Sequence, residues 1–180
     1  TFIITEPTDF TITTSQTNLI CFGDTDGTAT VNVSGATPTY TYLWDDPNTQ
    51  TTATATGLTV GTYQCLITDV NGCDTTITFI ITEPTDFTIT TSQTNLICFG
   101  DTDGTATVNV SGATPTYTYL WDDLNTQTTP TATGLTAGTY TCTITDANGC
   151  DTTVTFIITE PTDFTITTSQ TNLICFGDTD

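Results

Sequence analysis

The sequence contains no lysine, no arginine and no histidine, against 20 acidic residues in a chain of 180. Its formal charge at pH 7 is −20, and no side-chain salt bridge can form anywhere in it. Nucleic acid and anionic membrane surfaces would be repelled by this charge, and divalent cations attracted. No cationic side chain is present to hold a phosphate, and neither Ser15 nor Ser34 has an imidazole or amine to act as base. Asp45 and Asp46 are adjacent carboxylates, but neighbouring residues of a strand point to opposite faces. No catalytic constellation is left, so enzymatic activity is not expected. The missing lysine excludes Lys–Asn isopeptide crosslinks, and no trypsin site exists. No run of 18 apolar residues occurs, so no direct membrane insertion is expected either.

Helical periodicity is also missing. Only 36% of residues are hydrophobic, and low hydrophobicity with high net charge is a composition that favours disorder. The pattern argues otherwise. The apolar residues are β-branched and aromatic, they alternate with polar ones, and Gly and Pro punctuate them. About three residues in ten are Thr, which suits a pleated, half-exposed surface.

The string TFIITEPTDFTITTSQTNLICFGDTD begins at Thr1, Thr78 and Thr155, a period of 77 residues. That period is too long for a solenoid coil or a propeller blade, whose units run about 20 to 50 residues. It fits a small complete domain. Glu-Pro-Thr at 6–8, 83–85 and 160–162 is the natural punctuation, because proline ends strand pairing. The frame is therefore 1–5 as the end of a preceding repeat, 6–82 and 83–159 as two whole repeats, and 160–180 as the start of another. The whole repeats differ at seven positions: Pro47/Leu124, Ala53/Pro130, Val60/Ala137, Gln64/Thr141, Leu66/Thr143, Val70/Ala147 and Ile77/Val154.

Within a repeat, alternation predicts strands over 28–34, 40–44, 52–58, 62–69 and 75–81, with 10–14 and 18–22 supplying the opening strand or strands. Ala29, Val31 and Val33 share a face, as do Tyr63, Cys65 and Ile67, and Ile77, Phe79 and Ile81. The copy differences support that phase, because Gln64 and Leu66 change while Tyr63, Cys65 and Ile67 do not. Asn71-Gly72 is a hairpin turn. Short, regularly spaced strands predict an all-β sandwich. Gly61-Thr-Tyr63-Gln-Cys65 resembles the tyrosine corner of immunoglobulin-like folds, with Trp44 as the core tryptophan expected to pack on Val31 and Val33. The fold class is thus all-β: tandem immunoglobulin-like sandwiches on a 77-residue repeat.

Each repeat carries three cysteines, Cys21, Cys65 and Cys73, then Cys98, Cys142 and Cys150, and Cys175 opens a third set. Cys65 falls mid-strand on the core face and reads as a buried thiol. Cys21 and Cys73 each border a turn, which favours Cys21–Cys73 and Cys98–Cys150 as disulfides. Cys21–Cys65 is the alternative, since spacing does not fix connectivity. Either implies an oxidising, extracellular site. Zinc spacing is absent.

Asp24-Thr-Asp26-Gly27, repeated at Asp101 and Asp103, is the start of a calcium loop without its later ligands. Calcium there, with the linker Glu83, is one reading, and an Asx-turn is the other. Thr54 and Thr56, with Thr52, are outward threonines of the kind an ice-binding array uses, although an ordinary strand surface has them too.

Cys21-Phe-Gly-Asp-Thr-Asp-Gly, Tyr40-Thr-Tyr42, Trp44, Gly61-Thr-Tyr63 and Asp69-Val-Asn-Gly-Cys73 together resemble the SprB-type repeat of giant cell-surface gliding-motility adhesins of Bacteroidota. Cys65 departs from that pattern, where Val is expected. The resemblance implies export by type IX secretion, a cell-surface location and a long extracellular filament, whose shaft these repeats would form in surface adhesion or gliding. Its partners would be neighbouring repeats, other filament strands, and a surface or glycan ligand at a tip. A glycan- or surface-binding array, using aromatics such as Phe22 and Tyr40, is the alternative, and an ice-binding adhesin the third reading. Asp74-Thr75-Thr76 and Asp151-Thr152-Thr153 fit a bacteroidal O-glycosylation signal at Thr75 and Thr152.

Overall fold

A computed structural model describes residues 2, 3, 6–170 and 176. Six strands form in the first repeat: β1 (Phe10–Thr17), β2 (Gly27–Gly35), β3 (Thr41–Trp44), β4 (Thr54–Leu58), β5 (Gly61–Thr68) and β6 (Asp74–Ile81). The second repeat has their counterparts: β7 (Phe87–Thr94), β8 (Gly104–Gly112), β9 (Thr118–Trp121), β10 (Thr131–Leu135), β11 (Gly138–Thr145) and β12 (Asp151–Ile158). Each predicted strand is present except 18–22, which is a loop after β1. Cys175, with residues 1, 4, 5, 171–174 and 177–180 of the flanking frame, lies outside the described residues.

The strands pair as two sheets per repeat, β1-β2-β4 and β3-β5-β6, and among the described residues no sheet crosses from one repeat to the other. All pairs are antiparallel. This is the immunoglobulin arrangement, with A-B-E facing C-F-G and strand D missing. The tyrosine corner is made: the Tyr63 hydroxyl donates to the Thr59 carbonyl at 3.2 Å, at the turn before β5.

Alternation places the core where the sequence predicts. Ala29, Val31, Tyr63, Cys65, Ile67, Phe79 and Ile81 are buried between the sheets. Trp44 joins them, its ring 5.3 Å from that of Phe79. Val33 and Tyr42 pack half-buried at the margin. None of the seven copy differences falls on a fully buried position. Gly27 is required by close approach: a Cβ there would lie 2.7 Å from the Leu58 carbonyl oxygen and 2.9 Å from Ile81.

The direction of each strand decides what its loops meet. The β1–β2 loop and the β6 terminus share one end of the sandwich, because Leu19 N–H donates to the Thr82 carbonyl at 3.0 Å. The β2–β3 and β5–β6 loops share the other end, because Thr37 N–H donates to the Asp69 carboxylate at 3.2 Å. Registers put Trp44 opposite Cys65 and Thr54 opposite Thr30. β3 and β4 therefore run in the same direction, and 45–53 carries the chain between sheets without reversing it.

Candidate functional site

Each end of a sandwich is built by short-range hydrogen bonding, and the joint between repeats is where two such ends meet. The linker 82–86 is extended and held on both sides. Toward the first repeat, Thr82 N–H donates to Asn18 Oδ1 at 3.1 Å, and Gly23 N–H to Glu83 Oε2 at 2.8 Å. Gln16 Nε2 reaches the Ile80 carbonyl at 2.7 Å. Toward the second repeat, Ala113 N–H donates to the carbonyls of Thr85 and Asp86, at 3.0 and 3.2 Å. A five-residue linker with these partners has little freedom to hinge.

The far wall of the joint is the β11–β12 hairpin. Asp146 shapes it as an Asx-turn, accepting from the N–H groups of Asn148 and Cys150 at 2.9 Å each and from Thr114 N–H at 3.0 Å. Burial alone would raise the Asp146 carboxyl, but the N–H groups of Cys150, Thr114, Asn148 and Gly149 outweigh it and hold the group below the usual carboxylate range. Asp69 does the same in the first repeat. Asp46 and Asp123 cap the loop after β3 and β9 in a similar way, with Gln50 and Gln127 as partners. These four carboxylates are buried without a cation, because backbone amides supply the positive dipoles.

Cys150, at the end of that hairpin, is disulfide-bonded to Cys21 in the β1–β2 loop of the first repeat, with Cα atoms 5.7 Å apart. Asn148 Nδ2 also donates to the Ile20 carbonyl at 3.3 Å. The expected pairs Cys21–Cys73 and Cys98–Cys150 are thus replaced by a bridge between repeats. The reason is geometric. Cys21 and Cys73 occupy opposite ends of one sandwich, separated by the eight residues of β6, roughly 26 Å, whereas a disulfide needs Cα atoms within about 7 Å. The alternative, Cys21–Cys65, fails too, because Cys65 faces the core mid-strand as a free, buried thiol. Burial pushes that thiol up to about 11, and Cys142 likewise. Both stay protonated and unreactive at neutral pH. Cys73 and Cys98 are free and exposed.

A cleft of about 330 Å³ opens at the joint, with Phe22, Asp24, Pro84, Asp86, Asp146 and Asp151 among its lining. It is acidic, but no group of three acidic or thiol side chains converges as metal ligands among the described residues. Asp24 N–H turns back to the Cys21 carbonyl at 3.3 Å, and Asp101 N–H to Cys98. The carboxylate of Glu83 does reach this loop, as the calcium reading supposed, but it binds the Gly23 amide. Asp26 and Asp103 are exposed. The loop is therefore organised by a turn and an amide–carboxylate bond.

The remaining candidate residues are dispersed. Thr75 and Thr152 are half-buried on the inward face that carries Phe79 and Phe156, while Thr76 and Thr153 point outward. Tyr40 donates to the Gly35 carbonyl and packs on Phe10, so it is a structural residue. Phe22 and Phe99 are each 53% exposed. Thr54 bonds Thr30 across the sheet at 3.0 Å, and β4 is only five residues long, so no long flat threonine face forms. The capping role of Asp69 was readable from Asp-x-Asn-Gly, since Asp two residues before a turn offers its carboxylate to the turn amides.

A model of the SprB repeat matches residues 13–49 and 90–126, from β1 through the loop after β3 in each repeat. No curated protein matches the chain. Among solved structures it is similar to the N-terminal four Ig domains of Dscam1 isoform 9.44, with 12% identity and a TM-score of 0.37 over 88% of this chain and 47% of that one. It is similar to the mouse nectin-like molecule 4 ectodomain, Ig1–Ig3, with 12% identity and a TM-score of 0.34 over 89% and 67%. For the amphioxus IgVJ-C2 molecule the values are 15% and 0.32, over 81% and 96%. The chain spans about half the length of the Dscam1 fragment it matches.

Proposed function

We propose that this chain, which carries two SprB repeats, serves as shaft in a long extracellular filament of the cell-surface adhesin type, holding an adhesive end away from the surface in adhesion or gliding. The observation that carries this reading is the joint. A disulfide and a linker hydrogen-bonded to both sandwiches cross the same boundary. Two crossings resist hinging and twisting, as a spacer under tension requires and a loosely strung array of binding modules does not. The charge agrees: every charged side chain is acidic, so neighbouring shafts repel. Such an assembly needs an oxidising exterior for its bridge, which fits secretion by the type IX route.

Small-angle scattering of the oxidised chain tests this reading. A shaft gives a rod with two sandwiches end to end, on the order of 80 Å for strands of about eight residues plus loops, and no binding on a glycan array. A compact or broadly hinged particle contradicts the reading. Glycan binding lost on Phe22→Ala and Phe99→Ala would support a binding array instead, because those exposed rings recur in both repeats.

A further inference from the structure

The bridge between Cys21 and Cys150 spans 129 residues, one 77-residue period more than the 52 that separate Cys21 from Cys73. It joins the β1–β2 loop of one repeat to the β5–β6-type hairpin of the next. The same period makes Cys98 the counterpart of Cys21, and Cys73 the counterpart of Cys150. Cys73 and Cys98 are the two cysteines that are both free and exposed among the described residues. They cannot serve each other. Cys73 lies at the leading end of the first sandwich and Cys98 at the trailing end of the second, two sandwich lengths apart. Burial shows the effect of docking at one such position: Cys150 is 9% exposed against its neighbouring repeat, while Cys73, in the equivalent hairpin of the first repeat, stands open.

We propose that Cys98 and Cys73 are covalent attachment sites for flanking repeats of the same array. Cys98 takes the hairpin cysteine of the repeat that follows, 129 residues on, and Cys73 takes the loop cysteine of the repeat before. Each bond joins two thiols at Sγ with loss of two protons and two electrons. A disulfide-bearing oxidant, an oxidoreductase or a small-molecule disulfide, accepts both electrons as its own S–S bond breaks to two thiols.

A ladder of this kind changes how tension is carried. Between successive bridges the covalent path runs from Cys73 down β6, through the linker, down β7 and on to Cys98. That is 25 residues (98 − 73), about 85 Å when extended. The two sandwiches it traverses are themselves on the order of 80 Å long. The path has no slack, and it bypasses β2 to β5 of each sandwich. The bridge at Cys21 and Cys150 belongs to a second such path, offset by one repeat. Pulled from its ends, the array cannot lengthen by unravelling its domains.

The test compares the 180-residue chain with one lengthened by a third whole copy of residues 83–159, inserted after Thr159. Because the repeats yield identical peptides, both chains carry the exposed marker Ser92→Thr in the Cys98 peptide, and the added copy carries Ala→Ser at its counterpart of Ala147. Both chains are oxidised, alkylated without denaturant, digested at aspartate and mapped by mass spectrometry without reduction. In the 180-residue chain, Cys98 is alkylated and Cys21 is linked to Cys150. In the lengthened chain, Cys98 alkylation falls at least tenfold, and Cys98 appears linked to the cysteine 129 residues on. Persistent alkylation of Cys98 in the lengthened chain overturns the proposal, as does its linkage to Cys150, to any other cysteine or to a second molecule. Cys150→Ser in the lengthened chain breaks only the first rung. The second rung must survive this change, which separates a failed bridge from a failed fold.

Discussion

Cys21 and Cys150 stand 129 residues apart in sequence and 5.7 Å apart between Cα atoms, each in a different sandwich. A bridge in that position ties down both domains at once. When either sandwich unfolds, its chain remains anchored at the joint by the linker and by the bridge.

Cys150→Ser therefore destabilises the first repeat as well as the second. In the chain-entropy account, closing a loop of this size is worth about 5 kcal/mol. Hydrogen exchange followed peptide by peptide is the check. Amides of β5 and β6, which copy differences distinguish from their counterparts in the second repeat, should exchange faster in the variant. Wild-type protection there would mean that the bridge acts only locally.

The tyrosine corner and the core tryptophan make a graded pair. Tyr63→Phe removes a single hydroxyl that bonds Thr59, so a loss of about 0.5 to 1.5 kcal/mol is expected. Trp44→Ala empties the centre of the first core and should cost about 3 to 5 kcal/mol. Urea unfolding gives both values, and equal losses would contradict this placement of the core.

How far these features were legible in the sequence follows from what sets them. Tyr63, Cys65 and Ile67 were readable as one buried face because alternation is a local property of an extended chain. The sandwich follows from the same local pattern, which left the opening segment as one strand or two; 18–22 is a loop. The cysteine pairing was not readable. Cys21 and Cys73 both border turns, and simple up-down alternation through the strands would bring those turns to one end. The crossing at 45–53 leaves β3 and β4 running the same way, which sends Cys73 to the opposite end. Asp69 was visible as a turn residue, but its burial depends on the β2–β3 loop, through Thr37.

Acid should destabilise the fold through the capping carboxylates. Asp46, Asp69, Asp123 and Asp146 are all held below their ordinary value of 3.8. A group depressed on folding contributes stability that is present above the unfolded value and lost as pH falls through the folded one. The stability these four groups contribute should therefore be lost as pH falls below about 3.8. Asp69→Asn should lower the urea midpoint at pH 7 and converge on wild type in acid. Parallel curves for the two proteins would contradict this assignment.

Salt should stabilise the protein. With every charged side chain acidic, screening has repulsion to relieve and no side-chain ion pair to weaken. Raising ionic strength from 0.01 to 0.15 M shortens the Debye length from about 30 to about 8 Å, and the melting temperature should rise steadily. Calcium should do no more than magnesium at equal concentration, since no group of three acidic ligands converges among the described residues. A gain specific to calcium would restore the loop at Asp24 and Asp26 as a metal site.

The covalent joint is tested most directly by pulling the single chain from its two ends, oxidised and then reduced. With Cys21 bonded to Cys150, only about 51 residues (180 − 129) lie outside the closed loop, roughly 180 Å at about 3.6 Å each. Reduction releases all 180 residues, roughly 650 Å. A contour length that grows about 3.5-fold on reduction is the predicted result. Full extension of the oxidised chain, or a shortfall of only about 50 residues per repeat as internal bridges would give, would contradict the account.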